Sequence, residues 1–180
     1  MELKLYKNFG KYISNVLPNI VKFSIIKNEL ILIIPSFLII ENLLFLKNHT
    51  NCQYKVLSDI CAVGFLKKEN RFQVVYNLIS IKYNTKIRIK TFLNDLTPIN
   101  TISSIFSSAI WFEREIWDLF GIFFIKHPDL RRILTDYGFD GHPLRKDFPL
   151  SGYVELRYDN SKKCIVCEPI MLSQKFRFYN

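Results

Sequence analysis

What this sequence lacks narrows its chemistry first. It has no glycine-rich phosphate loop, no GxSxG nucleophile elbow and no HExxH helix. The common signatures of nucleotide, acyl-transfer and zinc-protease chemistry are therefore missing. Four cysteines, Cys52, Cys61, Cys164 and Cys167, are too few for a disulfide scaffold in 180 residues. The opening MELKLYKNFGKY contains no arginine and no secretory pattern, which speaks against an Arg-rich transit peptide. Alanine is confined to Ala62 and Ala109, while Lys, Asn, Ile and Phe abound, a bias expected of an AT-rich gene. Long apolar runs are also scarce. The longest, Leu30 to Leu46, is interrupted by Pro35, Ser36, Glu41 and Asn42. It falls short of the roughly 20 apolar residues a spanning helix needs, so no transmembrane segment is predicted.

Hydrophobic residues make up 49% of the sequence, which excludes disorder throughout and permits one domain with an appendage. The net charge of +9 is unevenly spread. Residues 1–110 hold 14 basic and 6 acidic residues, whereas 111–159 hold 7 basic and 9 acidic. A nucleic-acid surface favours a one-sided basic stripe, and the balanced second stretch does not offer one.

The expected fold class is α+β: one mixed β-sheet packed with helices over residues 1–121, then a long, mostly irregular C-terminal arm over 122–180. An amphipathic helix is predicted for 5–20, with Leu5, Phe9, Tyr12, Ile13, Val16 and Leu17 near helical spacing. KFSIIK and LILIIP read as two strands joined by a tight turn at Asn28-Glu29. Ser36 is placed to cap a helix over 37–47. Strand-like runs follow at 54–63, 71–82 and 85–93. In the last, Ile87, Ile89 and Thr91 alternate with Lys86, Arg88 and Lys90, giving a half-buried strand with a basic outer face. A helix is expected from Thr101, with Ile102, Ile105, Ala109, Phe112, Ile116 and Leu119 as its apolar stripe and Gly121 as its stop.

Beyond Gly121 the pattern changes. Pro128, Pro143, Pro149 and Pro169, with Gly138, Gly141 and Gly152, interrupt the arm, leaving 129–134 and 152–158 as its candidates for short regular structure. Such an arm, rich in Phe, Tyr and Leu, cannot readily bury its own apolar groups and should lie along its own domain or a partner. Glu113 falls on a mostly apolar helix face with Phe106, Ile110, Trp117 and Phe120, where a carboxylate is costly unless partnered. Glu115 and Asp118 lie near a helix C-terminus, where acids oppose the macrodipole. Arg131, Arg132, Arg145 and Lys146 are the expected compensators in a structural ion-pair network, with Arg114 already among the acids; Asp129, Asp136 and Asp147 are further acids of the arm. This reading outweighs an acid/base or metal cluster. His127 and His142 each precede proline and should stand in turns. Joined with Cys164 and Cys167 they could in principle ligate a metal in a redox module, but the histidines lie 15 residues apart and only one CxxC occurs. A basic nucleic-acid-binding domain built on Lys86, Arg88 and Lys90 is the remaining alternative.

The ordered run Glu113-Arg114-Glu115, Asp118, Phe120-Gly121, HPDLRRIL (127–134), Asp136-Tyr137-Gly138-Phe139, Gly141-His142-Pro143, RKDFP (145–149) and Gly152-Tyr153 resembles one family. It is that of the 30 kDa subunit, or subunit 9, of respiratory NADH:quinone oxidoreductase, complex I. The match is dense over about 97–160 and looser from Glu168-Pro169 to Phe176. The 135–139 run resembles the mitochondrial and proteobacterial branch.

The resemblance implies a core subunit of the peripheral arm, with no catalytic residue, flavin, iron–sulfur cluster or metal of its own. Those cofactors are expected in neighbouring subunits. It implies docking onto the large 49 kDa-type quinone-module subunit through the motif residues, including Phe148 and Tyr153. The implied location is the matrix side of the mitochondrial inner membrane. The AT-rich composition and the absence of an import sequence suggest a gene inside the mitochondrion.

Overall fold

The computed structural model describes residues 2–17, 22–27 and 29–177, with side chains from Tyr6 onward. Its centre is a five-stranded mixed sheet built from β1 (Lys22–Ile26), β2 (Glu29–Ile33), β3 (Val56–Gly64), β4 (Phe72–Ser80) and β5 (Thr85–Leu93). Their spatial order is β1-β2-β5-β4-β3. Neighbours are antiparallel except β2 and β5, which run parallel in register Leu30 with Ile87 and Leu32 with Ile89. The expected β1–β2 turn is observed as a hairpin with Ile26 opposite Glu29, although Asn28 itself lies outside the described residues.

The strict alternation of β5 does what its sequence dictates. Ile87, Ile89 and Thr91 are buried together with Leu30, Leu32, Val74, Tyr76 and Leu78, while Lys86 is exposed and Arg88 and Lys90 are half-buried. Odd and even residues of a strand face opposite ways, so one face lines the core. On the other, Arg88 is drawn into a 2.7 Å ion pair with Glu29 and donates Nε–H to Asn77 Oδ1 at 3.0 Å. That face is a mixed-charge one, not a free basic stripe.

Among the described residues three α-helices complete the layer: α1 (Glu2–Val16), α2 (Ile39–Asn48) and α3 (Ala109–Phe120). α1 approaches the sheet through Gly10, where an added Cβ would lie 2.9 Å from the Phe23 ring and 3.1 Å from Leu30. Ile13 is buried with the core; the expected apolar residues Tyr12 and Val16 are exposed, and residues 18–20 lie outside the described ones. Ser36 does not cap α2. It opens a one-turn 3-10 helix, Ser36–Leu38, and Leu38 is the helix's first flank. No helix among the described residues is long and apolar enough to cross a membrane.

The helix expected from Thr101 begins only at Ala109. Ile102 and Ile105 are buried as their spacing implies, but on turns instead of a helix. Local polar bonds win here. Thr101 Oγ1 accepts Ser103 N–H, and the Ile102 N–H goes to Glu113, so both backbone donors are taken by side chains. Thr101 is also fastened to the later half of the sequence, because β6 (Ile99–Asn100) pairs in parallel with β7 (Phe124–Ile125). Ile122 and Phe124, the residues just past Gly121, are consequently buried in the same core.

Residues 126–153 are irregular, including the 129–134 segment expected to be capable of regular structure. They are followed by a two-stranded antiparallel sheet, β8 (Val154–Asp159) with β9 (Cys164–Pro169). The sequence pattern does not predict β9.

Candidate functional site

Of the expected ion-pair network one pair forms, Asp118 with Arg132, and hydrogen bonds centred on the last turn of α3 hold the arm in its place. A helix end leaves its final carbonyls without partners, and here the arm supplies them. Gly121 adopts the left-handed cap conformation, φ 72°, and returns its N–H to Trp117 O at 2.9 Å. His142 Nδ1–H donates to Asp118 O at 2.9 Å, Leu144 N–H to Leu119 O at 3.0 Å, and Arg145 Nε–H to Phe120 O at 2.6 Å. Arg145 also lies over the Phe72 ring, 5.3 Å from its centroid. Its role is thus to cap carbonyls, not to pair with the carboxylates of α3 as expected. Burial lowers the His142 pKa, which favours the neutral imidazole that caps.

Asp118 organises the adjoining segment. Its Oδ2 accepts three consecutive backbone N–H groups, from Ile133, Leu134 and Thr135, at 3.1, 2.7 and 2.9 Å. Its Oδ1 accepts Arg132 Nη1–H at 2.9 Å and the Thr135 hydroxyl at 2.6 Å. Successive amides converging on one anion form a nest. Burial alone would raise this carboxyl's pKa, but the Thr135 hydroxyl and the three amides outweigh it and hold the group well below the usual range. Arg114, one turn earlier, donates to Arg131 O and Arg132 O, both at 3.1 Å, and stacks near Trp111.

Glu113 is fully buried. Its Oε1 accepts Ile102 N–H at 2.8 Å, its Oε2 is bonded to the Thr101 hydroxyl, and His127 Nε2 stands 3.7 Å away. His127 is fixed on both sides: Nε2–H points to Ile110 O at 3.1 Å, and Nδ1 accepts Asp129 N–H at 3.1 Å. Desolvation raises the Glu113 pKa to about 7, against the opposing hydrogen bonds from Ile102 and Thr101.

The other singled-out residues are placed as follows. Asp147 pairs with Arg71 at 2.6 Å, and Arg71 reaches Asp95 at 2.9 Å, so the arm is also tied to the turns beside β4 and β5. Arg131 turns to Asp129 at the surface, 2.8 Å away. Asp136 Oδ1 accepts Tyr137 N–H, and Phe148 packs against Phe139 and Tyr153 with ring centroids 5.9 and 5.4 Å apart. Glu115 and Lys146 are exposed and do not join the network. Of the four expected compensators, only Arg132 reaches a carboxylate of α3. Arg71, Thr101 and Thr135 carry bonds that sequence reasoning missed. Arg71 lies 76 positions from its arm partner Asp147, and no local pattern links them.

The two histidines and two cysteines do not converge. His127 and His142 flank α3, whereas Cys164 and Cys167 are exposed on β9 and, three residues apart, face opposite sides of that strand. Among the described residues no group of three or more His, Cys, Asp or Glu could hold a metal ion.

Residues 32–154 match the family model described as respiratory-chain NADH dehydrogenase, 30 Kd subunit. The chain is 53% identical over 178 residues to NADH-ubiquinone oxidoreductase subunit 9 of Reclinomonas americana, covering 99% of this chain and 84% of that protein. It is 52% identical to the mitochondrial NADH dehydrogenase [ubiquinone] iron-sulfur protein 3 of Candida albicans, covering 98% of this chain but 64% of that longer relative. Among solved structures, a polypeptide of the archaeal membrane-bound sulfane sulfur reductase, a respiratory membrane complex, superposes with a TM-score of 0.69 at 26% identity, over 80% of this chain and 85% of that one. The nest, the capped helix and the histidine turn all lie within the matched residues, and the chain belongs to the family of the respiratory-chain NADH dehydrogenase 30 Kd subunit.

Proposed function

We propose that the chain is a structural, non-catalytic core subunit of the peripheral arm of proton-pumping NADH:ubiquinone oxidoreductase, on the matrix side of the mitochondrial inner membrane. In this reading it docks onto the large quinone-site subunit and helps hold the electron-transfer arm in place. The flavin and iron–sulfur clusters belong to neighbouring subunits. The family assignment supports membership in the assembly.

One observation carries the docking role. The register of β8 and β9 puts Val154, Leu156 and Tyr158 on the same face as Ile165, Cys167 and Pro169, and all six are exposed. The opposite face carries Glu155, Asp159 and the Arg157–Glu168 pair at 2.7 Å. A lone two-stranded hairpin is marginal in water, and a contiguous apolar face of this kind marks a surface that other protein covers. The motif residues nearer α3 are largely occupied inside the molecule, so they support the arm's root while its far end makes the contact.

The test is native gel electrophoresis of mitochondrial membranes with an in-gel NADH dehydrogenase assay, blotted for this subunit. Comigration with the active complex is expected. Detection of the subunit only outside it would overturn the proposal.

A further inference from the structure

Buried within the motif is a group that a purely structural role does not use. Glu113 sits between α3, the 101–102 segment, β4 and the start of the arm, with no water-facing surface. The groups in contact with it are the Thr101 hydroxyl, the Ile102 amide and His127, and its charge is felt by the Tyr76 hydroxyl of β4, which is fully buried and has no hydrogen-bond partner. Arg114, next to it on α3, points away to two carbonyls of the arm. Among the described residues His127 is the ion-pair neighbour within 4 Å, yet its Nδ1 accepts the Asp129 amide and so carries no proton. Among those residues, therefore, no cation is in place to balance an ionised Glu113.

Thr101 has one hydroxyl hydrogen and two oxygen neighbours, Glu113 Oε2 and Ser103 Oγ, the latter at 3.0 Å. It can donate to only one of them. With Glu113 protonated, its O–H donates to Thr101 Oγ1 and Thr101 donates on to Ser103. With Glu113 ionised, the two hydroxyls turn round: Ser103 donates to Thr101, and Thr101 to the carboxylate. Ser103 is half-exposed, so the row of hydroxyls runs from the buried acid to solvent.

We propose that Glu113 is a proton-binding site, loaded and emptied through the Thr101 and Ser103 hydroxyls, with His127 held beside it as a neutral imidazole. The raised pKa of this carboxyl, to about 7, agrees with that geometry. The occupant is a single proton; no other ligand is required. Its arrival or departure alters how tightly α3 grips the 101–102 segment and the His127 turn. This site does not depend on the subunit's place in any complex.

The sign follows from linkage. A carboxyl raised in the folded state favours folding below its unfolded pKa, and that contribution is lost as pH rises through its folded value. Urea unfolding of the full-length protein, wild type against Glu113→Gln, should show it. The ratio of their unfolding constants should climb as pH rises from about 4.5 to about 7, by up to about tenfold per pH unit. A flat ratio, or one that falls, overturns the proposal. If the variant fails to fold, infrared spectra of the wild-type protein labelled with carbon-13 glutamate decide instead. A protonated glutamate carbonyl band should persist at about pH 6, where exposed glutamates are ionised, and vanish above neutrality. Its absence at that pH overturns the site. Thr101→Val should slow deuterium exchange of that band relative to wild type and Thr101→Ser; equal rates in all three overturn the hydroxyl route.

Discussion

At the scale of the residue, Asp118 does the most for the arm. Five donors meet its two oxygens, and its side chain is fully buried. Asp118→Asn would turn an NH2 toward hydrogen-bond donors and remove the charge that gathers them. A cost of about 3–5 kcal/mol is expected, the range for breaking a buried charged pair, read as a lowered urea midpoint. The pH dependence runs opposite to that of Glu113. A carboxyl depressed by folding contributes above its unfolded pKa, about 4, and loses that contribution only as pH falls through its own lower value. An acid titration followed by the fluorescence of Trp111 and Trp117 should therefore show the wild-type arm in place below pH about 4, and Asp118→Asn giving way earlier. Gly121 is the second sensitive position. At φ 72°, an added Cβ would lie 2.6 Å from both the His142 ring and the Arg145 guanidinium. Gly121→Ala combines the left-handed penalty of roughly 1–2 kcal/mol with loss of both caps, and should lower the melting temperature by several degrees.

At the scale of the element, α3 is a twelve-residue helix whose C-terminus is completed by backbone and side chains more than twenty residues further on. Arg145→Ala removes the donor to Phe120 O and the contact over Phe72 together, and a loss of about 1.5–3 kcal/mol is expected. The β8–β9 hairpin should behave in the opposite way. It has no core of its own, so its amides should exchange with solvent far faster than those of β4 and β5 in the unassembled protein. Equal protection measured by hydrogen exchange would contradict its description as a docking element. These two elements also show what the sequence could and could not convey. The alternation of β5 and the Gly121 stop are local patterns, and both are legible. The start of α3 is not, because Thr101 and Glu113, twelve residues apart, override a good helical stripe with side-chain bonds. That acids and arginines of the motif would meet is readable from their density. Which ones meet is not: Arg145 goes to carbonyls, and Asp147 to Arg71. Those pairings are set by the fold and by no spacing along the sequence.

At the scale of the whole molecule, the structure divides the labour of one motif. Its α3 half and the 127–149 segment form a fixed root through Asp118, Glu113, Arg114, Arg145 and the Arg71–Asp147 pair. Its far end, from Tyr153 onward, offers apolar surface to water. Both His127 nitrogens and the Asp118 oxygens are committed to internal hydrogen bonds within that root. The central claim, that the hairpin's apolar face joins this folded root to a partner, is tested most directly by Leu156→Asp with Ile165→Asp. Both side chains are exposed, at 62% and 69%, so the root should remain folded. In mitochondria bearing this variant, native gels with an in-gel NADH dehydrogenase assay should show the subunit lost from the active complex while its unfolding midpoint stays at the wild-type value. Assembly of the variant at the wild-type level would contradict the account.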